Sequence, residues 1–316
     1  MSQYTTGMIP SPPDERDYTL DRAVAYAAAP VEDIMVSYIP QPLDQGPFGM
    51  CVAVALAGIL EAVEYKQRGV PVLISPQYIY GNRGTGWQGE GMMPREALRM
   101  ASRFGAVRRE LLPGLSDYPT AKKAITPALD GEGLPNRIKG YVRLQNMQDV
   151  SDYFRLYDLP ILFGMTLTSS FYGVGYDGIV PPPFGASVGN HAMRGIGIRN
   201  GRLVIQNSWS GWGNNWQGTV DITEHKGIEI WGAIPEDAES LINAPHQMLF
   251  TLGSKTFISD NKVIEMDVAP FAQQDRTWLP IRFVAEALGA DVEWYPMPEG
   301  KDMVLLRWGG EQEKIQ

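Results

Sequence analysis

The 316-residue chain has one cysteine, Cys51, in QGPFGMCVAVALAGILE, where a glycine-containing loop runs straight into an apolar helical stretch. A thiol at a helix start faces the positive end of the macrodipole and unpaired backbone N–H groups; both favour the thiolate, the nucleophilic form. Gln45, six residues earlier, is a neutral donor able to reach an oxyanion formed beside that sulfur. Far downstream come His191 in GNHAMRGIGI and Asn207 in IQNSWSGWG. Each residue alone has an ordinary structural reading. A lone cysteine is most often a small buried hydrophobe, a histidine before an apolar run is usually a core residue, and NSW followed by GWG makes a turn packed by two tryptophans. Taken together, the four read as a site for acyl transfer at a carbonyl.

His191 lies 140 residues and Asn207 156 residues after Cys51, close to the roughly 130–150 of papain-type enzymes. On these residues the segment from about 8 to 232 resembles a papain-family cysteine peptidase of bacterial type. DQGPFGMCVAVA resembles the nucleophile segment, with Val52 in place of the usual tryptophan; GNHAMRGIGI resembles the histidine strand, and IQNSWSGWG the asparagine segment. SPPDERDYTL resembles a lead-in of bacterial members, SPQYIY and GEGMMPREALRMASRFGAV the intervening helices and glycine loop, and DGIV the segment ahead of the histidine loop. The resemblance implies a thiolate–imidazolium pair of Cys51 and His191. It implies Asn207 on the far ring nitrogen, and the Gln45 amide with the Cys51 N–H as oxyanion donors. Trp209, and with it Trp212, would shield the His–Asn bond. Substrate contacts fall to Gly91, Ala192 and Trp209, although Glu90 interrupts the family's double glycine.

Composition sets outer bounds. With 36 acidic and 27 basic residues, the net charge of −9 argues against a nucleic-acid surface. One cysteine excludes an intrachain disulfide, which suits a reducing compartment or a core large enough without staples. The opening MSQYTTGMIPSPPDERDY lacks a basic start followed by an apolar stretch, so no signal peptide is expected. No apolar run approaches the 18 or so residues of a transmembrane helix.

Those residues must be positioned by surrounding elements. Val52, Val54, Ala55, Leu56, Ile59, Leu60 and Val63 cover most of a helix from Cys51 to Arg68, which predicts a central buried helix ended by Gly69. A second helix is expected over Pro94–Phe104, with Arg95, Arg99 and Arg103 read as a solvated stripe. Beyond residue 140, YVRLQ, PILFGMTL, HAMRGIGI, RLVIQN and GTVDI predict a mainly antiparallel sheet. The expected fold is α+β with two lobes, a helical lobe carrying Cys51 and a sheet lobe carrying His191 and Asn207. Asp14, Glu15 and Asp17 read as a solvated lead-in, Pro181–Pro183 as a stiff loop, and His225 as a structural residue.

Residues 1–44 are expected to wrap the domain or cover its cleft, 45–232 to form the peptidase-like domain and 233–245 a linker. From 246 to 316 a second pattern predicts a small α+β module: QMLFTLG, KTFI, KVIEMD, DVEWYP and DMVLLRW as strands, PIRFVAEALGA as a helix. MDVAPFAQQDRTWLPIRFVAEALGADVEW resembles the module named after the N-terminal domain of copper amine oxidases. It holds one histidine, His246, and no cysteine, so no copper site is expected, and no cofactor is expected elsewhere. The resemblance implies a peptide or protein substrate for the first domain and a cell-surface or protein partner for the second, leaving cytoplasm and export both open. A peptidoglycan-peptide hydrolase or an acyl transferase would use the same four residues. A papain fold retained without catalysis would be a binding module.

Overall fold

The computed structural model describes residues 5–20, 30–84 and 89–236, together with parts of 248–307. The chain divides into two compact units, Met1–Leu241 and Ile242–Gln316.

In the first unit, strand β1 (Ile34–Met35) precedes helix α1 (Cys51–Arg68). An apolar surface on every side suits a helix buried all round, and each residue from Cys51 to Glu64 is buried. Gly69 ends α1 in the left-handed conformation, φ 71°, its N–H donating to Tyr65 O. The two carboxylates that this burial traps are paired. Glu61 accepts from Ile74 N at 3.1 Å and from Arg109 at 2.8 Å, and Glu64 faces Arg68 at 2.8 Å. Around α1 stand α2 (Pro76–Gly81), α3 (Pro94–Phe104), α4 (Tyr118–Ala124) and α5 (Pro127–Gly133), each with a proline at its first or second position, where the missing N–H costs nothing.

The sheet lobe contains β2 (Ile138–Leu144), α6 (Met147–Tyr157), β3 (Ile161–Thr168), β4 (Ser187–Arg199), β5 (Arg202–Gln206), β6 (Gln217–Val220) and β7 (Glu229–Pro235). They pair antiparallel in the order β2-β7-β3-β4-β5-β6, with β1 also on β4. Strand β7 was not expected, and it takes Ala233–Pro235 out of the anticipated linker by pairing them with β2. Pro235 lies inside the anticipated linker and Gly232 just ahead of it. In the fold Gly232 makes room for the Tyr153 ring, whose hydroxyl donates to Ala233 O at 2.7 Å.

The described residues of the segment 5–44 pack on both lobes. Met8 bridges Met92, Thr19 bridges Arg143, and Ile34–Met35 extend the sheet. Asp17 and Arg95, both expected in solvent, form an ion pair at 2.6 Å that ties the lead-in to α3. Desolvating the pair is repaid because Arg95 also donates to Pro12 O while its backbone N–H donates to Ser11 Oγ at 3.1 Å.

The second unit shows a three-stranded antiparallel sheet of β8 (Met248–Phe250), β9 (Thr256–Ser259) and β10 (Lys262–Glu265). Two hairpins follow, β11 (Phe271–Gln273) with β12 (Arg276–Trp278) and β13 (Asp291–Tyr295) with β14 (Met303–Arg307). The hairpin at 271–278 was not expected. Of the expected helix, Pro280 is described outside any helix, residues 283–285 are helical, and the rest lie outside the described residues, as does His246. Among the described residues no helix is long and apolar enough to cross a membrane.

Helix α1 lies on β4, and at Gly58 it accommodates a side chain of that strand: a Cβ there would collide with the buried guanidinium of Arg194. Gly58→Ala should therefore destabilise the protein by about 1–3 kcal/mol, although alanine is the better helix former. Urea unfolding measures this, and an unchanged or raised midpoint would mean the two elements are not so tightly packed.

Candidate active site

Four chain segments meet at the start of α1. The Cys51 sulfur receives backbone N–H groups from Ala192 on β4, from Gly7, and from Val52 and Cys51 in the first turn of the helix. His191 immediately precedes Ala192 on β4. Its Nε2 lies 2.8 Å from Asn207 Oδ1, and its Nδ1 is buried without a hydrogen-bond partner. Asn207 Oδ1 also accepts from Ser208 N at 2.8 Å, which fixes the orientation of the amide. An acceptor at Nε2 requires the proton there, so the lone pair sits on Nδ1. That is the tautomer needed to take a proton from a thiol.

Gln45 belongs to the same network. Its Oε1 accepts from Ser208 Oγ at 2.6 Å and its backbone N–H donates to Ser208 O at 3.0 Å, so Nε2 is turned the other way. Ser208 thus joins the amide of Gln45 to the amide of Asn207. Sequence reasoning passed over it, and its only signal was its place between Asn207 and Trp209.

Trp209 stacks on the His191 ring at 4.3 Å and 26°. It is wholly buried, with Tyr172 stacked over it at 5.5 Å. Tyr172 takes the outer position over Trp209. Trp212 stacks on Phe171 at 4.7 Å and donates from Nε1 to Phe171 O at 2.8 Å, closing the aromatic cluster behind the site. Val52, where the family has tryptophan, is fully buried.

The glycine loop is shaped by the residue that departs from the family pattern. The Glu90 carboxylate accepts from Tyr80 Oη at 2.6 Å and from Tyr118 N at 3.2 Å, and Tyr80 Oη in turn accepts from Gly91 N at 3.0 Å. Arg83 lies 3.4 Å over the Tyr118 ring and donates to the carbonyls of Gly89 and Gly91. Gly91 takes φ 104°, where a side chain is strained, and a Cβ there would press on Gly7 O at 2.6 Å.

Residues 5–9 run through the cleft over this machinery. Thr5 O and Phe48 O each accept from Gln45 Nε2 at 2.8 Å, so both amide hydrogens are engaged. Met8 N donates to Asn190 O at 3.1 Å, Met92 N to Gly7 O at 2.8 Å and Ile9 N to Met92 O at 3.0 Å. Further along, Ser11 N donates to Glu229 Oε2 at 3.0 Å.

This covered site differs from the expected ion pair. Burial pushes the Cys51 thiol up to about 11, the backbone N–H groups offsetting only part of the effect, and burial pulls His191 down to about 4 against its bond to Asn207. With water excluded, the neutral thiol and neutral imidazole are favoured. The helix-start effect is present but smaller than the desolvation imposed by the covering segment.

With this geometry in view, the similarity to known structures can be placed. Xylellain, a cysteine protease from Xylella fastidiosa, matches with a TM-score of 0.64 at 20% identity over 74% of this chain and 97% of that one. Procathepsin B S9 from Trypanosoma congolense matches with 0.56 at 15% identity over 73% and 86%. The Carica candamarcensis cysteine protease CMS1MS2, solved in complex with E-64, matches with 0.52 at 20% identity over 66% and 100%. The first unit therefore has the two-lobed papain-like fold. Residues 235–297 match the copper amine oxidase N-terminal domain family, which begins where β7 ends. No curated protein sequence matches the chain.

The low imidazole value sets an acid limit on stability. Between pH 6.5 and about 4 the unfolded chain binds a proton at His191 that the native protein excludes. Stability must therefore fall as pH drops through that window, the loss being complete below it. Thermal unfolding of wild type and His191→Gln from pH 7 to 4 should show the wild type losing more. Parallel curves would place the imidazole in solvent.

Proposed function

We propose that the first unit is a cysteine peptidase that hydrolyses peptide bonds through Cys51, His191 and Asn207, with Gln45 and the Cys51 N–H receiving the oxyanion. The observation that carries this reading is the His191 tautomer. Asn207 holds the proton on Nε2 and leaves a buried, unpartnered lone pair on Nδ1, and Ala192, the next residue on the strand, donates its N–H to a sulfur at a helix start. In the reaction Nδ1 takes the thiol proton and the sulfur attacks the substrate carbonyl carbon. The oxygen then becomes negative against the Gln45 amide. His191 returns the proton to the departing amine, and water, deprotonated by the same nitrogen, releases the acid from the thioester.

The covering segment belongs to this reading as a built-in inhibitor. Thr5 O engages the amide that the oxyanion would use, and the Gly7 group meeting the sulfur is an N–H donor, which a nucleophile cannot attack. Residues 5–9 can therefore lie in the cleft without forming an acyl-enzyme. Activity then requires displacement of this strap, and displacement readmits water, lowers the thiol value and raises that of the imidazole.

The sealed, neutral sulfur also favours a second reading, a papain fold kept for binding. A thiol-directed epoxide separates the two. On the peptidase reading it labels the full-length chain at Cys51, faster in Met8→Asp, whose charge expels the strap, and not at all in Cys51→Ala. Absence of labelling in Met8→Asp sinks the enzyme. Within the enzyme, Gln45→Ala should lower kcat/KM on a peptide substrate by about 10²–10³. Ser208→Ala, which frees the Gln45 side chain, should lower it by a smaller factor with KM little changed.

A further inference from the structure

We propose that the cavity between residues 39–42 and the tight turn leading into β6 is a saccharide-binding site, with Trp216 as the platform for one neutral sugar ring and the Gln206 amide as its buried hydrogen-bond partner. The site goes beyond the peptidase reading, and binding there needs no turnover.

Asn214 N donates to Gln217 O at 2.9 Å and Gln217 N to Asn214 O at 3.1 Å, so Asn215 and Trp216 form a two-residue hairpin turn. Both take positive φ, 51° and 70°, as in a type I′ turn, whose second position ordinarily belongs to glycine. The other non-glycine residues with positive φ among the described ones, Asp158 and Asn200, have the short polar side chains that tolerate it. A bulky residue does not. Glycine would close the same turn without strain, so the indole strains the backbone it stands on. Trp216 is half-buried and lines a cavity of about 310 Å³, at the small end of the range for ligand sites.

Gln206 lines the same cavity, and its Oε1 is buried without a hydrogen-bond partner. It sits directly opposite Arg194 in the pairing of β4 with β5, and opposite residues share a face of the sheet. The Arg194 guanidinium on that face donates to Gln41 O at 3.2 Å, which fixes the facing wall of the cavity. The Gln206 amide is thus turned toward the cavity. A buried amide left unpartnered lowers stability, as the strained tryptophan does, and the two meet at one cavity.

The lining selects the ligand. Gln41, Gln206, Asn215 and Gln217 supply carboxamides, Ile39, Pro40, Pro42 and the indole supply apolar surface, and no ionisable side chain is among them. An ion entering would lose hydration without meeting an opposite charge. Carboxamides both donate and accept, as sugar hydroxyls do, and a flat indole suits the C–H face of a pyranose. A peptide adding to the sheet would need a free strand edge. The outer side of β6 is already taken, Val180 N donating to Thr219 O at 2.9 Å and Thr219 N to Gly178 O at 2.7 Å.

The test titrates the full-length protein with glucose, galactose, N-acetylglucosamine and cellobiose, followed by saturation-transfer NMR, with octaproline as the peptide alternative. At least one sugar should bind in the millimolar range. Trp216→Gly, which suits the turn, should abolish binding. Gln206→Leu should weaken it by roughly tenfold, the size expected when a ligand's hydrogen bond goes unmade. The same variant should raise the unfolding midpoint without sugar, because it replaces an unpartnered amide by an apolar group of similar volume. No binding by any of the four sugars, or equal binding by wild type and Trp216→Gly, overturns the site. So does binding of octaproline alone, or a lowered midpoint in Gln206→Leu, which would mean that the amide is bonded within the fold. Should Trp216→Gly fail to fold, unchanged sugar affinity in Gln206→Leu overturns it by itself. Epoxide labelling of Cys51 reads the peptidase separately, so either reading can fail without the other.

Discussion

The whole arrangement hangs on the burial of the first turn of α1 against β4. A helix start placed in the interior leaves amide donors that must be satisfied or must serve a purpose. Here they point at the Cys51 sulfur together with the Ala192 N–H. Because Ala192 follows His191, the contact that seats the helix also fixes the point at which the imidazole leaves β4. Gly58 further along α1 allows the close approach, accommodating the Arg194 side chain that projects from the same strand. The surroundings of the sulfur and the packing of the core are one constraint in this protein.

Around that contact, one hydrogen-bonded chain unites residues far apart in sequence. Gln45 Oε1 meets Ser208 Oγ, Ser208 N meets Asn207 Oδ1, and Asn207 Oδ1 meets His191 Nε2. Each member orients the next, so the amide of Gln45 and the lone pair of His191 are set by a shared scaffold. Trp209 excludes water from the middle of the chain, where a competing solvent molecule would loosen the imidazole. The strap exploits the same polar groups from the cleft side. It satisfies Gln45 with a carbonyl and the sulfur with an amide, and by drying the site it holds both titrating groups neutral.

Much of this was legible in the sequence where the signal was local. The all-round apolar run after Cys51 announced a buried helix and Gly69 its end, and both stand. The alternating apolar runs past residue 140 gave five strands of the sheet. Strand β7 escaped because Gly232 and Pro235 are loop residues by habit, and only the Tyr153 ring across the sheet explains the glycine. Arg95 and Asp17 were read as solvated because each is charged, while their pairing depends on a path of the N-terminal segment that no local pattern encodes. Glu90 looked like damage to a glycine motif, yet two tyrosine partners make it the clamp of that loop.

Residue types and their order by themselves determined the chemistry available: a thiol at a helix start, an imidazole, and two carboxamides, in a chain with a small second unit. Tertiary structure alone decided how far water is kept from the thiol and the imidazole and which segment lies over them. The physical reason is that these depend on desolvation and on contacts between segments more than a hundred residues apart. A sequence can show that a sulfur stands ready for activation. Whether water reaches it depends on where the distant strap comes to rest.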